Sequence, residues 1–186
     1  MASRLPIVIG IGGSMGSGKS GILRYLQQLN FNCFDADLCV HELYENKRKS
    51  RIISELKHQI PQSYNSTNHT IDRKELSKAI SLDPPLLKVV ESIVHPEIQN
   101  QRYQFLDKNS RELMVFCEEP LLFEKYIHYK PFIHHTINCF CDEETRENRV
   151  LKREGMTKSK FDFISSNQLS NKEKMILCDY SIKVLF

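Results

Sequence analysis

Residues 13–20, Gly13-Ser14-Met15-Gly16-Ser17-Gly18-Lys19-Ser20, fit the pattern G-x-x-x-x-G-K-[ST] at every position. No other feature of the chain narrows its fold so far. The stretch before it, Pro6-Ile7-Val8-Ile9-Gly10-Ile11, is short, β-branched and nearly continuously apolar, the composition of a strand buried on both faces. The stretch after it puts Ile22, Leu26 and Leu29 on one helical face, with Leu23 beside them. A glycine-rich turn leading from buried strand to helix is the context in which this pattern signifies a phosphate-binding loop. Glycines let the backbone wrap tightly and aim several N–H groups inward, and the helix N-terminus adds partial positive charge. Lys19 is expected to reach the β- and γ-phosphates of a nucleoside triphosphate, and the Ser20 hydroxyl to ligate Mg²⁺. The expected cradle runs from Gly13 to Gly21.

Downstream, Phe31 to Phe34, Glu112 to Cys117, Ile133 to Cys141 and Tyr180 to Leu185 read as further strands. From Leu38 to Leu106 the pattern is helical apart from a polar loop, Pro61 to Thr70, after which Asp72 and Glu75 form a capping-box-like helix start. His95-Pro96 is read as the end of one helix and the start of the next. Asp142 is placed to cap a helix whose first turn holds Glu143 and Glu144. Two more helical stretches lie near Lys158 to Asn167 and Lys172 to Leu177. Strands alternating with helices predict an α/β fold: about five parallel strands with helices on both faces. We expect a core of about residues 1–37 and 111–186, a helical acceptor-binding insertion of about 38–110, and a small lid of about 149–170.

Length and composition remove other classes. At 186 residues there is room for one α/β domain with insertions. A net charge of +3 does not suggest a nucleic-acid partner. No apolar run approaches the ~20 residues of a membrane span, and the short N-terminal run lacks the form of a signal peptide. The simplest reading is a cytoplasmic protein, a monomer or weak homo-oligomer. The six cysteines contain no C-x-x-C pair and sit mostly in apolar stretches, as buried small hydrophobes rather than zinc ligands. His134-His135 reads as a surface or core pair rather than a metal site.

The loop alone does not separate kinases from GTPases or motor ATPases, although no N-K-x-D guanine-reading motif follows it. In an open α/β sheet ligands bind at the carboxyl ends of the strands. The second strand ends in Asp35-Ala36-Asp37. Two carboxylates two apart on an extended segment point to opposite sides, so one can face Mg²⁺ and the other an acceptor hydroxyl. Arg146, Arg149 and Arg153 fall at helical spacing and are expected on one face before a mobile segment, as suits a lid closing over phosphates. For Arg146 the favoured reading is a solvated charge partnered by Glu143 and Glu147.

Taken together these residues resemble the dephospho-coenzyme A kinase family, and the likeness covers nearly the whole chain. It rests on Gly16-Ser17-Gly18-Lys19-Ser20, on Asp35-Ala36-Asp37 with His41, and on Ile71-Asp72-Arg73 with Leu76. It continues through Glu91-Ser92-Ile93-Val94-His95-Pro96, Pro120-Leu121-Leu122-Phe123-Glu124, Arg149 with Arg153, and Gln168. The order and spacing match. The chain departs from the family at Ser14, where a second glycine is common, at Gly21, often Thr, and at Glu118-Glu119. It departs again at Val184, which stands where an Asn usually lies near the adenine.

The resemblance implies transfer of the ATP γ-phosphate to the ribose 3′-hydroxyl of dephospho-coenzyme A. The alternatives are another small-molecule or nucleoside monophosphate kinase of the same fold, or a non-catalytic nucleotide-binding regulator. Asp37 is then the expected base, while Asp35 supports Mg²⁺, through water, or orients the site. Lys19, Arg149 and Arg153 are expected to neutralise the migrating charge. Asp37, His41, Arg73, His95, Pro96, Leu122 and Glu124 are the candidates for holding the acceptor, with helix capping or packing an equal reading for Arg73 and for His95-Pro96. Valine at 184 cannot hydrogen-bond a base edge, so donor choice is expected to be relaxed.

Overall fold

The structure is a computed structural model that describes residues 6–45 and 50–185; residues 1–5 of the expected core, residues 46–49 of the helical insertion and Phe186 lie outside them. It divides into two compact units, residues 1–35 with 106–186, and residues 36–105.

The first unit is built on a five-stranded parallel sheet in the order β2-β5-β1-β6-β7. The strands are β1 (Ile7–Gly12), β2 (Cys33–Asp35), β5 (Met114–Glu118), β6 (His135–Phe140) and β7 (Tyr180–Lys183). β1 lies at the centre, with β5 and β6 on its two sides. Its continuous apolar run is explained by burial on both faces. One face carries a core of Ile11, Leu23, Phe116, Cys139 and Val184, to which α1 (Lys19–Gln28) adds Ile22 and Leu26. On the other face Gly10 and Gly12 leave room for the segment after β5. A Cβ on Gly12 would stand 2.6 Å from Phe123 Cε2, and one on Gly10 would stand 2.7 Å from Ile133 Cδ1.

The remaining helices of this unit are α6 (Tyr126–Tyr129), α7 (Glu143–Leu151), α8 (Lys158–Ser166) and α9 (Asn171–Leu177). Asp142 does stand at the N-cap of α7, but its side chain makes no capping bond there. Its Oδ1 instead lies 3.0 Å from Lys183 Nζ at the end of β7. A full capping box stands at α9, where Ser170 and Glu173 bond each other's backbone N–H.

The second unit contains α2 (Ala36–Glu45), α3 (Ser50–Gln59), a 3₁₀ turn (Pro61–Ser63), a hairpin of β3 (Tyr64–Asn65) and β4 (Thr70–Ile71), α4 (Arg73–Leu82) and most of α5 (Leu86–Lys108). Much of the expected polar loop is thus ordered as the turn and hairpin. Asp72 caps α4 by accepting from the N–H groups of Lys74 and Glu75. The expected helix break at His95-Pro96 is corrected, because α5 runs 23 residues with Pro96 inside it. Pro96 forfeits one backbone bond. Val90, Val94 and Ile98, spaced four apart and all buried, continue the packed face across it, and that burial outweighs the local penalty. Among the described residues no helix is long and apolar enough to cross a membrane.

Candidate active site

The loop leaves β1 at its carboxyl end and enters α1 through Gly18, whose φ of 99° lies in the left-handed region that glycine alone adopts without cost. Close approach adds a second demand, since a Cβ on Gly18 would sit 2.6 Å from Val184 Cγ1. Gly13 is hemmed in likewise, with φ 147° and the Cys139 carbonyl oxygen where a Cβ would go. The first turn of α1 carries no acidic residue, so the positive end of its dipole is not neutralised from within. Lys19 Nζ folds over the loop and donates to the carbonyls of Gly13 at 3.0 Å and Ser14 at 3.3 Å. Ser20, one residue on, is exposed.

A carboxylate faces this lysine that sequence reasoning had treated only as a departure. Glu118 ends β5 with a side chain 2 % exposed, and its Oε1 lies 4.0 Å from Lys19 Nζ. In the sheet register Glu118 is level with Ile11 on one side and Asp35 on the other. Residues level with one another on parallel strands project to the same face, so Asp35 and Glu118 form a row of carboxylates beside the loop. The signal lay in the sequence as an acid at the end of a strand, but its meaning depends on which strand lies next to β1.

The loop is also held by residues far downstream. Arg149 Nη1 donates to the Gly16 carbonyl at 3.4 Å, and the Cys141 thiol points to the same oxygen at 3.8 Å. Gln168 Oε1 accepts from Met15 N–H at 3.0 Å, and Lys174 Nζ donates to Ser14 Oγ at 2.8 Å. Burial pushes the Cys139 thiol up to about 12, so it remains a protonated core group.

The three arginines do not share one exposed face. α7 ends at Leu151, which leaves Arg153 exposed in the turn beyond it. Arg146 is 6 % exposed and not solvated. It bonds Glu143 as expected, but it also reaches Ser165 Oγ at 3.2 Å and stacks its guanidinium 4.9 Å from the Phe161 ring centre. Its place is in the packing of α8 on α7. Leu122 is another correction, being fully buried under Gly10 and Gly12 with no surface to offer an acceptor. Glu124 is engaged within its own unit, paired with Lys174 at 3.0 Å and accepting from Leu169 N–H at 3.1 Å.

The Asp35-Ala36-Asp37 segment is not extended throughout. Asp35 is the last residue of β2, and α2 begins at once with Ala36. The two carboxylates therefore differ because one ends a strand and the other stands in a helix's first turn. There Asp37 is exposed, and the helix dipole favours its charge. His41 follows one turn later on the same side of α2. Within the same unit Arg73 opens α4, and its charge draws down the Tyr44 phenol, which burial pushes up more strongly. His95 and Pro96 are exposed on α5.

A family model described as dephospho-CoA kinase matches residues 7–184. The chain is 31% identical over 176 residues to the dephospho-CoA kinase of Rhizobium etli, an alignment covering 94% of this chain and 83% of the relative. It is 32% identical over 169 residues to that of Thermus thermophilus, covering 91% and 78%. A solved Thermus thermophilus structure superposes with TM-score 0.81 at 30% identity, covering 98% of this chain and 91% of the other. A dephospho-CoA kinase structure from Campylobacter jejuni shares the fold with TM-score 0.64 at 21% identity, covering 99% and 90%.

Proposed function

The chain belongs to the dephospho-CoA kinase family, and from that premise we propose that it phosphorylates the ribose 3′-hydroxyl of dephospho-coenzyme A with ATP, giving coenzyme A and ADP. This is the last step of coenzyme A biosynthesis. One observation carries the nucleotide half of the reading, a complete phosphate-binding loop at the end of the central strand with Lys19 folded across it toward Glu118, and membership of the family supports the acceptor half. The further proposal is a cytoplasmic enzyme, monomeric or weakly associated, whose partner is this small molecule and neither nucleic acid nor membrane.

The donors around the loop suit the magnesium salt of ATP. Ser20 offers a hydroxyl, and Asp35 and Glu118 stand level on neighbouring strands, a set made only of oxygen ligands. Ser20 would hold Mg²⁺ directly and Asp35 through water, with Glu118 orienting that shell and Lys19. The ion supplies charge neutralisation on the β- and γ-phosphate oxygens.

In the transfer Asp37 accepts the proton of the acceptor 3′-hydroxyl. The freed oxygen forms its bond to the γ-phosphorus as the bond to the β–γ bridging oxygen breaks, and that oxygen leaves on ADP. Phosphoryl transfer needs positioning and charge neutralisation more than covalent chemistry. Lys19 serves it from the loop, Arg149 from α7 and Arg153 from the turn after it. His41, Arg73, His95 and Pro96 are the acceptor-binding residues of the helical unit.

The test is ADP release by purified protein with ATP and a panel of acceptors: dephospho-coenzyme A, mononucleotides and shikimate. Turnover with dephospho-coenzyme A alone is expected. Turnover confined to a different acceptor, or ATP binding without transfer to any, would overturn the reading.

A further inference from the structure

α9 is a short and mostly exposed helix. Its residues Met175, Ile176 and Leu177 all face outward. Lys174, at its centre, is the opposite, with a side chain 0 % exposed. Enclosing an ammonium is costly unless its partners are well placed. Lys174 has two, and they belong to different parts of the unit. Its Nζ donates to Ser14 Oγ at 2.8 Å and pairs with Glu124 Oε1 at 3.0 Å.

Each partner leads on to something else. The Ser14 carbonyl accepts from Lys19 Nζ at 3.3 Å and from Ser17 N–H at 3.1 Å, so Ser14 is, with Gly13 at 3.0 Å, one of the two residues on which the loop's own lysine leans. Glu124 Oε1 also takes the Leu169 N–H at 3.1 Å, which fixes the turn between α8 and α9. That turn presents Gln168, whose Oε1 receives the Met15 N–H at 3.0 Å. Two consecutive loop residues, Ser14 and Met15, are thus gripped by one short stretch, 168–174. Burial presses the pKa of Lys174 down, Glu124 opposes it through its bond and charge, and the charges of Lys19 and Arg146 add to the lowering. The two lysines therefore act on the same loop segment, Lys19 through a backbone oxygen of Ser14 and Lys174 through its hydroxyl.

We propose that Lys174 is a positioning residue of the phosphate cradle, holding Ser14 from behind so that Ser14 in turn presents Lys19 to the nucleotide. Lys174 touches no substrate; it acts through Ser14, and through Glu124 it locks the Gln168 turn that holds Met15. A buried ion pair serving stability alone is replaceable by neutral groups of similar shape with little loss. A pair that positions the loop is not, and this difference makes the two roles separable.

The proposal rests on the loop binding ATP, so it is tested by direct calorimetric titration of ATP·Mg²⁺ without any acceptor. Lys174→Met/Glu124→Gln removes both charges together and leaves no unpaired ion in the interior. Ser14→Ala removes a single oxygen and leaves the ion pair in place. Both variants are expected to melt within a few degrees of the parent and to bind ATP more weakly, about tenfold for the double variant and severalfold for Ser14→Ala. In turnover the loss should fall on KM for ATP, and for Ser14→Ala KM for the acceptor should stay unchanged. Parent-like ATP affinity in either folded variant overturns the proposal and leaves Lys174 as packing. The titration does not depend on the acceptor. A parent protein that binds ATP yet fails to phosphorylate dephospho-coenzyme A refutes the proposed function while leaving this inference to stand or fall on the variants.

Discussion

Lys19 Nζ stands 4.0 Å from Glu118 Oε1, so the cation of the phosphate-binding loop faces a carboxylate almost closed to solvent at the end of the neighbouring strand. Its bonds to the Gly13 and Ser14 carbonyls hold Lys19 across the loop, and the carboxylate adds an attraction on the same side. Lys19→Ala is expected to leave the circular dichroism spectrum intact and nearly abolish transfer. Glu118→Gln keeps the shape and removes the charge that orients Lys19, so it should lower kcat more than it weakens ATP binding. Near-normal turnover by folded Lys19→Ala would sink the kinase assignment.

Asp37→Asn should reduce kcat on the order of 10²-fold or more with little change in ATP affinity, because a general base acts only as the proton moves. Asp35→Asn should instead raise the Mg²⁺ concentration needed for half-maximal rate. If steady-state kinetics show the two effects exchanged, the division of labour between strand end and helix turn is reversed.

Val184 is 1 % exposed and packed in the core against Gly18. An amide placed there meets apolar neighbours and loses its water, at a cost of about 1–3 kcal/mol. Val184→Asn is therefore expected to lower the melting temperature without sharpening nucleotide choice. In the parent, GTP or CTP should support transfer within about tenfold of ATP in kcat/KM, a gap of ~1.4 kcal/mol. A hundredfold preference for ATP would show that backbone groups read the adenine.

Asp179 ties the start of β7 to β6, its Oδ2 accepting from Thr136 N–H at 2.7 Å and from Thr136 Oγ1 at 2.9 Å. These bonds, the backbone one foremost, hold its carboxyl below the ordinary value. A carboxylate with a depressed folded pKa stabilises the fold above its unfolded value of about 3.9, and that contribution disappears as pH falls through the folded value. Asp179→Asn should consequently be less stable than the parent at pH 6, and the two melting curves should converge as pH falls below the ordinary carboxylate value and through the lower folded one. A constant difference across that range would rule the linkage out.

The phosphate-binding loop and the sheet that carries it were legible because their information is local. Glycines at 13, 16 and 18 encode backbone angles, and the apolar run of β1 encodes burial on both faces, within a few residues of the feature itself. The presence and parallel direction of the other strands followed from their alternation with helices, whereas their order in the sheet did not. Side-chain surroundings have no such local code. Arg146 reads as a surface charge by its neighbours in sequence, yet Phe161 and Ser165 enclose it once α8 packs on α7. Pro96 reads as a helix boundary, yet the buried row of Val90, Val94 and Ile98 carries the helix through. Glu118 acquires a role only when β5 is laid beside β1, and Lys174 only when α9 brings it to a serine 160 residues earlier. The sequence by itself determined where the backbone could turn and where it had to be buried. Tertiary structure decided which charges would meet, because burial and pairing are properties of neighbours in space, and those neighbours were distant in the chain.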